Sequence, residues 1–344
     1  MPAGPVDEEP KNAPGDPVLG RDPVTLAQQV LAGDRAAVST ALNLVDNQRP
    51  EVRDQALTLL DALEGRGAGM QIGVTGAPGA GKSTLLDAVV SGLRARDRSV
   101  GILAVDPSSQ RTGGALLGDR MRLSSSARDA GVFLRSMAAR DQLGGLAEAT
   151  GPSLDVMIAA FSSVFVETVG VGQSESEVSD LVDTLVFVAQ PAAGDLIQFM
   201  KAGILEWPDV FFVNKADLGD IAPRTAAELR AGLDLGSRRD PDYEPPVLCG
   251  SAQDGTQIDA LIDAIDAHQA YLKSSGQGAI RRTNGRLARV QHTLGTRYGR
   301  FGLAQLEGRV EIDAYVAAHP QDSAERIITD LGQTIEEALT RGRE

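Results

Sequence analysis

A single cysteine, Cys249, stands in 344 residues. One thiol excludes an internal disulfide framework and any metal site built from several cysteines. Histidine is almost as scarce: His268, His292 and His319 lie far apart along the chain. With Cys249 they do not form the cluster of soft or imidazole ligands that a nickel- or zinc-delivery protein needs. Aromatic residues make up 4% against 42% hydrophobic residues overall, so the core is expected to consist mostly of Ala, Val, Leu and Ile. Positive charge is in deficit too, and the formal net charge is −14. Such a surface repels nucleic acid and anionic membrane, so neither is expected as a partner. Any phosphate must then be held by a local device. No apolar run approaches the roughly 20 residues needed to span a bilayer. Met1 to Gly20 has neither the basic nor the apolar region of a secretory signal. A soluble cytoplasmic protein is the expectation.

What is present divides the chain into four stretches. Residues 1–22 hold Pro2, Pro5, Pro10, Pro14 and Pro17 among acids and glycines, the composition of a disordered tail. A helical segment is expected over 23–66. Asp22 can cap a first helix with Pro23 at its first position, Asp34 can cap a second, and a third starts after Pro50. From Met70 the period changes. Short β-rich runs at Gln71–Thr75, Val100–Val105, Val132–Leu134, Val164–Val166, Thr184–Val188, Val210–Val213 and Val247–Cys249 alternate with helical stretches. That alternation over 67–275 predicts an α/β domain with a mostly parallel central sheet and helices on both faces. Residues 276–344 return to helix. Arg281, Arg282, Arg286, Arg289, Arg297 and Arg300 make 281–300 basic, which fits a solvated helix face or a surface meeting acids of another subunit or partner. Asp322-Ser323-Ala324-Glu325 resembles a capping box. The helix behind it carries an apolar stripe that must pack on its own domain or on a second subunit.

The strongest chemical signal is Gly76-Ala77-Pro78-Gly79-Ala80-Gly81-Lys82-Ser83-Thr84, between a predicted strand and a predicted helix. Its glycines let successive backbone N–H groups converge on phosphate oxygens at a helix N-terminus. Lys82 adds a mobile charge for the β- and γ-phosphates, and Ser83 a hydroxyl for Mg²⁺. This is a nucleoside-triphosphate-binding loop. Asn214-Lys215-Ala216-Asp217 follows another strand. Asp217 can accept hydrogen bonds from N1–H and the 2-amino group of guanine, which adenine does not supply, and the Lys215 stem can lie over the base. Ser251-Ala252 is the expected backbone contact to the guanine oxygen. GTP and GDP are therefore the expected substrate and product. Glu167, at the end of a buried strand, can orient Mg²⁺ through water, and Gly170 lets the backbone approach the γ-phosphate. Asp106, at another strand end, can hold the metal's water shell or orient the attacking water. Pro107 to Arg122 reads as a switch loop in which Asp119 is either a further metal-side acid or an ordinary turn residue after Gly118.

Val105-Asp106-Pro107-Ser108-Ser109, Gly113 to Arg120 and Glu167-Thr168-Val169-Gly170-Val171-Gly172-Gln173-Ser174-Glu175 closely resemble the MeaB/ArgK group of GTPases, which includes the protein defective in human methylmalonic aciduria type A. The likeness runs from about residue 25 to 275. It implies a homodimeric P-loop G protein of the signal-recognition-particle/MinD class, with residues 276–344 as a dimerisation segment. It also implies a chaperone of an adenosylcobalamin-dependent acyl-CoA mutase, such as methylmalonyl-CoA mutase. By the same resemblance Asp106, Asp119 and Glu167 surround magnesium with Ser83. Gln190 to Ile204 is similar to the family's third switch, in which Lys201 matches a catalytic lysine.

The chain departs from the family's pattern at Gln110-Arg111-Thr112, at Ile197-Gln198-Phe199-Met200, at Trp207, and around Tyr298-Gly299-Arg300-Phe301-Gly302. These positions bear on partners rather than on the nucleotide. A nucleotide-dependent dimer that binds another partner, with hydrolysis incidental, is therefore the main alternative, and metal delivery a lesser one.

Overall fold

Side-chain caps set the first turns of the chain. Asp22 accepts hydrogen bonds from the Thr25 N–H (2.9 Å) and hydroxyl (2.6 Å), opening α1 (Pro23–Leu31). Asp34 Oδ1 accepts from the N–H groups of Ala36 (2.8 Å) and Ala37 (3.0 Å), opening α2 (Arg35–Val45). Each carboxylate satisfies donors that a helix start leaves without partners. α3 (Pro50–Leu63) begins on Pro50 itself, where the expected start was just after it. The computed structural model describes residues 21–47, 49–107, 129–139, 150–168, 174–191, 203–234, 236 and 238–341, with backbone alone for 106, 107, 138, 139, 174–176 and 204.

The alternating segment follows as β1 (Met70–Thr75), α4 (Lys82–Ala95), β2 (Val100–Pro107), β3 (Val132–Ala139), α5 (Thr150–Ala160), β4 (Ser163–Glu167), α6 (Ser174–Leu181), β5 (Thr184–Ala189), β6 (Val210–Val213), α7 (Ile221–Leu233), β7 (Val247–Cys249) and α8 (Ile258–Ser275). All seven expected strands are present. β3 extends five residues past the expected Leu134, because Arg135 and Ser136 interrupt the apolar run while the backbone goes on pairing with β2 through Pro107↔Ala139. The strands form one sheet in the order β3-β2-β4-β1-β5-β6-β7, with every neighbouring pair parallel. β1 is central, and chain order diverges to either side of it. The crevice at the carboxyl end of such a strand is where open parallel sheets bind ligands.

Period-two alternation divides the core between the two faces. Leu103, Val105, Val164, Val166 and Leu185 pack with α1, α2, α3 and α5. Val100, Ile102, Phe165, Val186 and Val188 pack with α4 and α8 on the other face. A smaller cluster under α7 joins Phe187, Phe211 and Leu229. Apart from four phenylalanines, the largest fully buried side chains are Leu and Ile, as the aromatic-poor composition requires.

The C-terminal residues form α9 (Gln277–Leu303), α10 (Ile312–Ala318) and α11 (Ala324–Arg341). The apolar stripe of α11 is covered from within the chain: Ile327, Ile328, Leu331 and Ile335 are buried with Val290, Leu294, Leu306 and Val316. The helix begins one residue later than the anticipated box. Ser323, not Asp322, accepts from the Arg326 N–H (3.2 Å), and the Ser323 hydroxyl donates to Asp61 (2.6 Å). Glu325 is drawn away to Arg289 (3.1 Å).

Four arginines of the basic stretch pair within the chain, while Arg297 and Arg300 are exposed, as on a solvated helix face. Arg281 donates to Asp209 and to the Asp183 carbonyl (both 2.8 Å), and Arg282 pairs with Asp183 (2.7 Å). Arg289 bridges Asp155 (2.8 Å) and Glu325, while Arg286 reaches Glu64 (3.6 Å) and the carbonyls of His319 and Asp322. These four arginines are internal ties, with acids of their own chain as partners. Among the described residues no helix is long and apolar enough to cross a membrane.

Candidate functional site

The loop after β1 is shaped by two steric demands. Gly76 has φ +141°, and a Cβ there would collide with the Val188 carbonyl of β5. Gly81 caps α4 at φ 91°, and a Cβ would press on the Asn214 amide at 2.5 Å. Only glycine fits either position. The loop therefore turns tightly, with Ala80 N–H donating to Ala77 O (3.1 Å), and α4 starts at Lys82 with its N–H groups facing the turn. Pro78 and Gly79 are exposed at its crest and Thr84 is exposed on the first turn of α4.

Lys82 is buried, and its ammonium donates to the carbonyls of Gly76 (2.8 Å) and Ala77 (3.2 Å). Beside it the Ser83 hydroxyl donates to Glu167 Oε1 (2.6 Å). Glu167 ends β4 opposite Val74 of β1 and is itself buried. Thr168 follows, tied to the Thr75 hydroxyl (3.1 Å). A hydroxyl from the first turn of α4 and a carboxylate from the end of β4 thus meet, the hard oxygen-ligand chemistry that suits Mg²⁺. The Asp106 backbone lies in β2 beside Ala138 of β3, two residues beyond the Ala104↔Glu167 pair. Its side chain, and all of Asp119, Gly170, Lys201 and Arg111, lie outside the described residues.

The residues expected to read guanine gather at the ends of β6 and β7. Asn214 is a brace: its amide N–H₂ donates to Ala80 O, and its Oδ1 accepts from Ala252 N–H (both 2.9 Å). The two amides expected to meet the guanine oxygen are thus engaged within the protein, since Ser251 N–H donates to Thr256 O (3.1 Å). Asp217 is exposed, with Oδ1 fixed by the Ser251 hydroxyl (2.7 Å). Lys215 adopts φ 62° and reaches back over the phosphate loop, donating to Gly79 O (2.6 Å) and Gln190 Oε1 (3.2 Å). The contact with Gln190 has no sequence signature, because it depends on β5 and β6 lying side by side with Ala189 level with Val213.

The structure therefore brings Gly76 to Thr84, Glu167, Asn214, Lys215, Asp217, Ser251 and Ala252 to one end of the sheet. The family model described as methylmalonyl Co-A mutase-associated GTPase MeaB matches residues 38–297. This chain belongs to the MeaB family. A Pyrococcus abyssi relative carried under a GTPase name is 42% identical over 255 residues, 73% of this chain and 78% of that one. GTPase ArgK of Escherichia coli is 36% identical over 74% of this chain and 78% of its own. The mouse mitochondrial methylmalonic aciduria type A homolog is 34% identical over 74% and 64%. A solved structure titled LAO/AO transport system kinase superposes with a TM-score of 0.64 at 26% identity, covering 91% of this chain and 97% of that one. As a MeaB-family P-loop protein the chain is a GTPase that binds GTP and GDP.

Proposed function

We propose that this MeaB-family GTPase uses GTP turnover to time a chaperone cycle on an adenosylcobalamin-dependent acyl-CoA mutase of the methylmalonyl-CoA mutase kind, acting as a cytoplasmic homodimer. The observation that carries the partner is the family match over residues 38–297, whose description names that mutase. The site is read from the contacts around the phosphate loop. The loop N–H groups and Lys82 hold the β- and γ-phosphates, and Lys82 exchanges its hold on the Gly76 and Ala77 carbonyls for phosphate oxygens. Ser83 and Glu167, with Asp106 and Asp119, would hold Mg²⁺, which when bound neutralises charge on the β- and γ-phosphates. Asp217 and Lys215 select guanine, and Gly170 and Lys201 belong to the segments that respond to the γ-phosphate.

In the reaction a water oxygen bonds to the γ-phosphorus as the bond to the β–γ bridging oxygen breaks. GDP leaves with that electron pair and the water proton passes to phosphate. The chain's share is positioning and charge: the loop and Lys82 fix the phosphates in line, and Asp106 orients the water.

The test is GTP turnover with and without an adenosylcobalamin-dependent methylmalonyl-CoA mutase, together with co-elution of the two. A rise in turnover and a shared peak are expected. Unchanged turnover with no complex would overturn the mutase partner and leave the GTPase standing.

A further inference from the structure

We infer that Gln190 is a positioning residue for the nucleotide, acting through Lys215. The inference rests on the reading of Lys215 as a guanine-side residue and deepens it. Gln190 follows the last residue of β5, and β5 lies against β6, whose end delivers Asn214 and Lys215. Its carboxamide oxygen accepts from the Lys215 ammonium at 3.2 Å, and the same ammonium donates to Gly79 O at 2.6 Å. A Cβ placed on Gly79 would lie 3.9 Å from that same oxygen, so the carboxamide lies close beside the crest of the phosphate loop. One amide oxygen thus sits at the junction of three elements: the end of β5, the phosphate loop and the guanine loop.

Lys215 needs such support. It is one of three non-glycine residues with positive φ among the described residues, a backbone state that costs an L-residue free energy unless its surroundings hold it. Its side chain must also stay extended over the loop for its stem to lie along a purine face. A lysine ammonium on a flexible four-carbon stem has three donors and no preferred direction. Gly79 O alone fixes one donor, and the ammonium can still swing about that single contact. The second acceptor, supplied by Gln190, fixes the swing and so fixes the stem. Gln190 therefore sets how long the base stays bound, without touching the base itself.

The test is release of a fluorescent GDP analogue from the full chain, for Gln190→Ala, Gln190→Met and Gln190→Glu, each also in a Lys215→Ala background. One hydrogen bond to a charged group corresponds to a change of about tenfold or more. Gln190→Ala and Gln190→Met, the latter keeping the side-chain length, should speed release by about that factor with the melting temperature held. Gln190→Glu should restore slow release, since its carboxylate accepts from the same ammonium. In the Lys215→Ala background the Gln190 substitutions should change nothing further. Wild-type release from Gln190→Ala and Gln190→Met, or an undiminished effect without Lys215, overturns the inference. If Lys215→Ala alone leaves release unchanged, the reading of Lys215 itself fails, which is a separate outcome.

Discussion

At the scale of single residues, the proposed guanine site turns on one carboxylate. Asp217 is exposed, with one oxygen held by Ser251 at 2.7 Å. A carboxylate only accepts hydrogen bonds, which matches the two N–H groups on the guanine edge. Asp217→Asn replaces one acceptor by a donor. Guanine then loses a charge-assisted pair, and affinity for GDP should fall by about tenfold or more. Xanthine carries a carbonyl where guanine has its amino group, so the same variant should gain affinity for xanthosine diphosphate. Calorimetry with both nucleotides checks the pair of outcomes. Equal loss for both would mean that Asp217 does not read the base. The placement of Asp217 at the end of β6 was legible beforehand, because its short motif directly follows a predicted strand. Asn214 as a brace was not legible, since Ala80 and Ala252, its two partners, lie 134 and 38 residues away.

At the scale of elements, the amino ends of β5 and β6 carry a buried polar knot opposite the nucleotide end. His268 of α8 is fully buried, with Nδ1 2.8 Å from the Thr184 hydroxyl and Nε2 3.4 Å from Asp209. Arg281 of α9 meets the same Asp209, and Tyr243 lies 4.5 Å from the imidazole. Burial pushes the His268 pKa down to about 4, and Arg281 and Arg239 add to this while Asp209 opposes it. Because the folded value lies below the unfolded one, the unfolded chain binds the extra proton between about pH 6.5 and pH 4. Stability from this residue is complete above the upper value and is lost as pH falls through that window. The full loss is on the order of 3 kcal/mol. Denaturant unfolding at pH 7 and pH 4.5 should show a smaller fall for His268→Gln than for the native chain, the carboxylates contributing equally to both. Parallel falls would assign the acid sensitivity elsewhere. Helix and strand existence was readable from hydrophobic period and caps, because those are local. The ties of α9 were not: Asp183, Asp155 and Asp209 lie 98, 134 and 72 residues from their arginines. Nothing in a run of arginines reveals which acids will face it.

At the scale of the whole molecule, the C-terminal segment decides how assembly and folding are related. An apolar helix stripe at the end of a chain can be covered by its own fold or by a second copy, and sequence period alone does not separate the two. Here the stripe is spent internally. Leu331 is 1% exposed among Val290, Leu294 and Ile335, and Arg289 and Arg326 stitch the start of α11 to α5 and α3 through Asp155 and Asp61. The proposed dimer would then be built on other surfaces, and damage to the stripe should appear as lost folding, not as lost association. Leu331→Asp places an unpaired carboxylate in that cluster, which costs about 3–5 kcal/mol, a large part of the 5–15 kcal/mol that holds a typical domain. Circular dichroism and light scattering should report a sharply lower melting temperature, with an unfolded or aggregated C-terminal segment. A cooperatively folded monomer with native melting temperature would show instead that α11 is an assembly helix whose stripe the chain can leave bare.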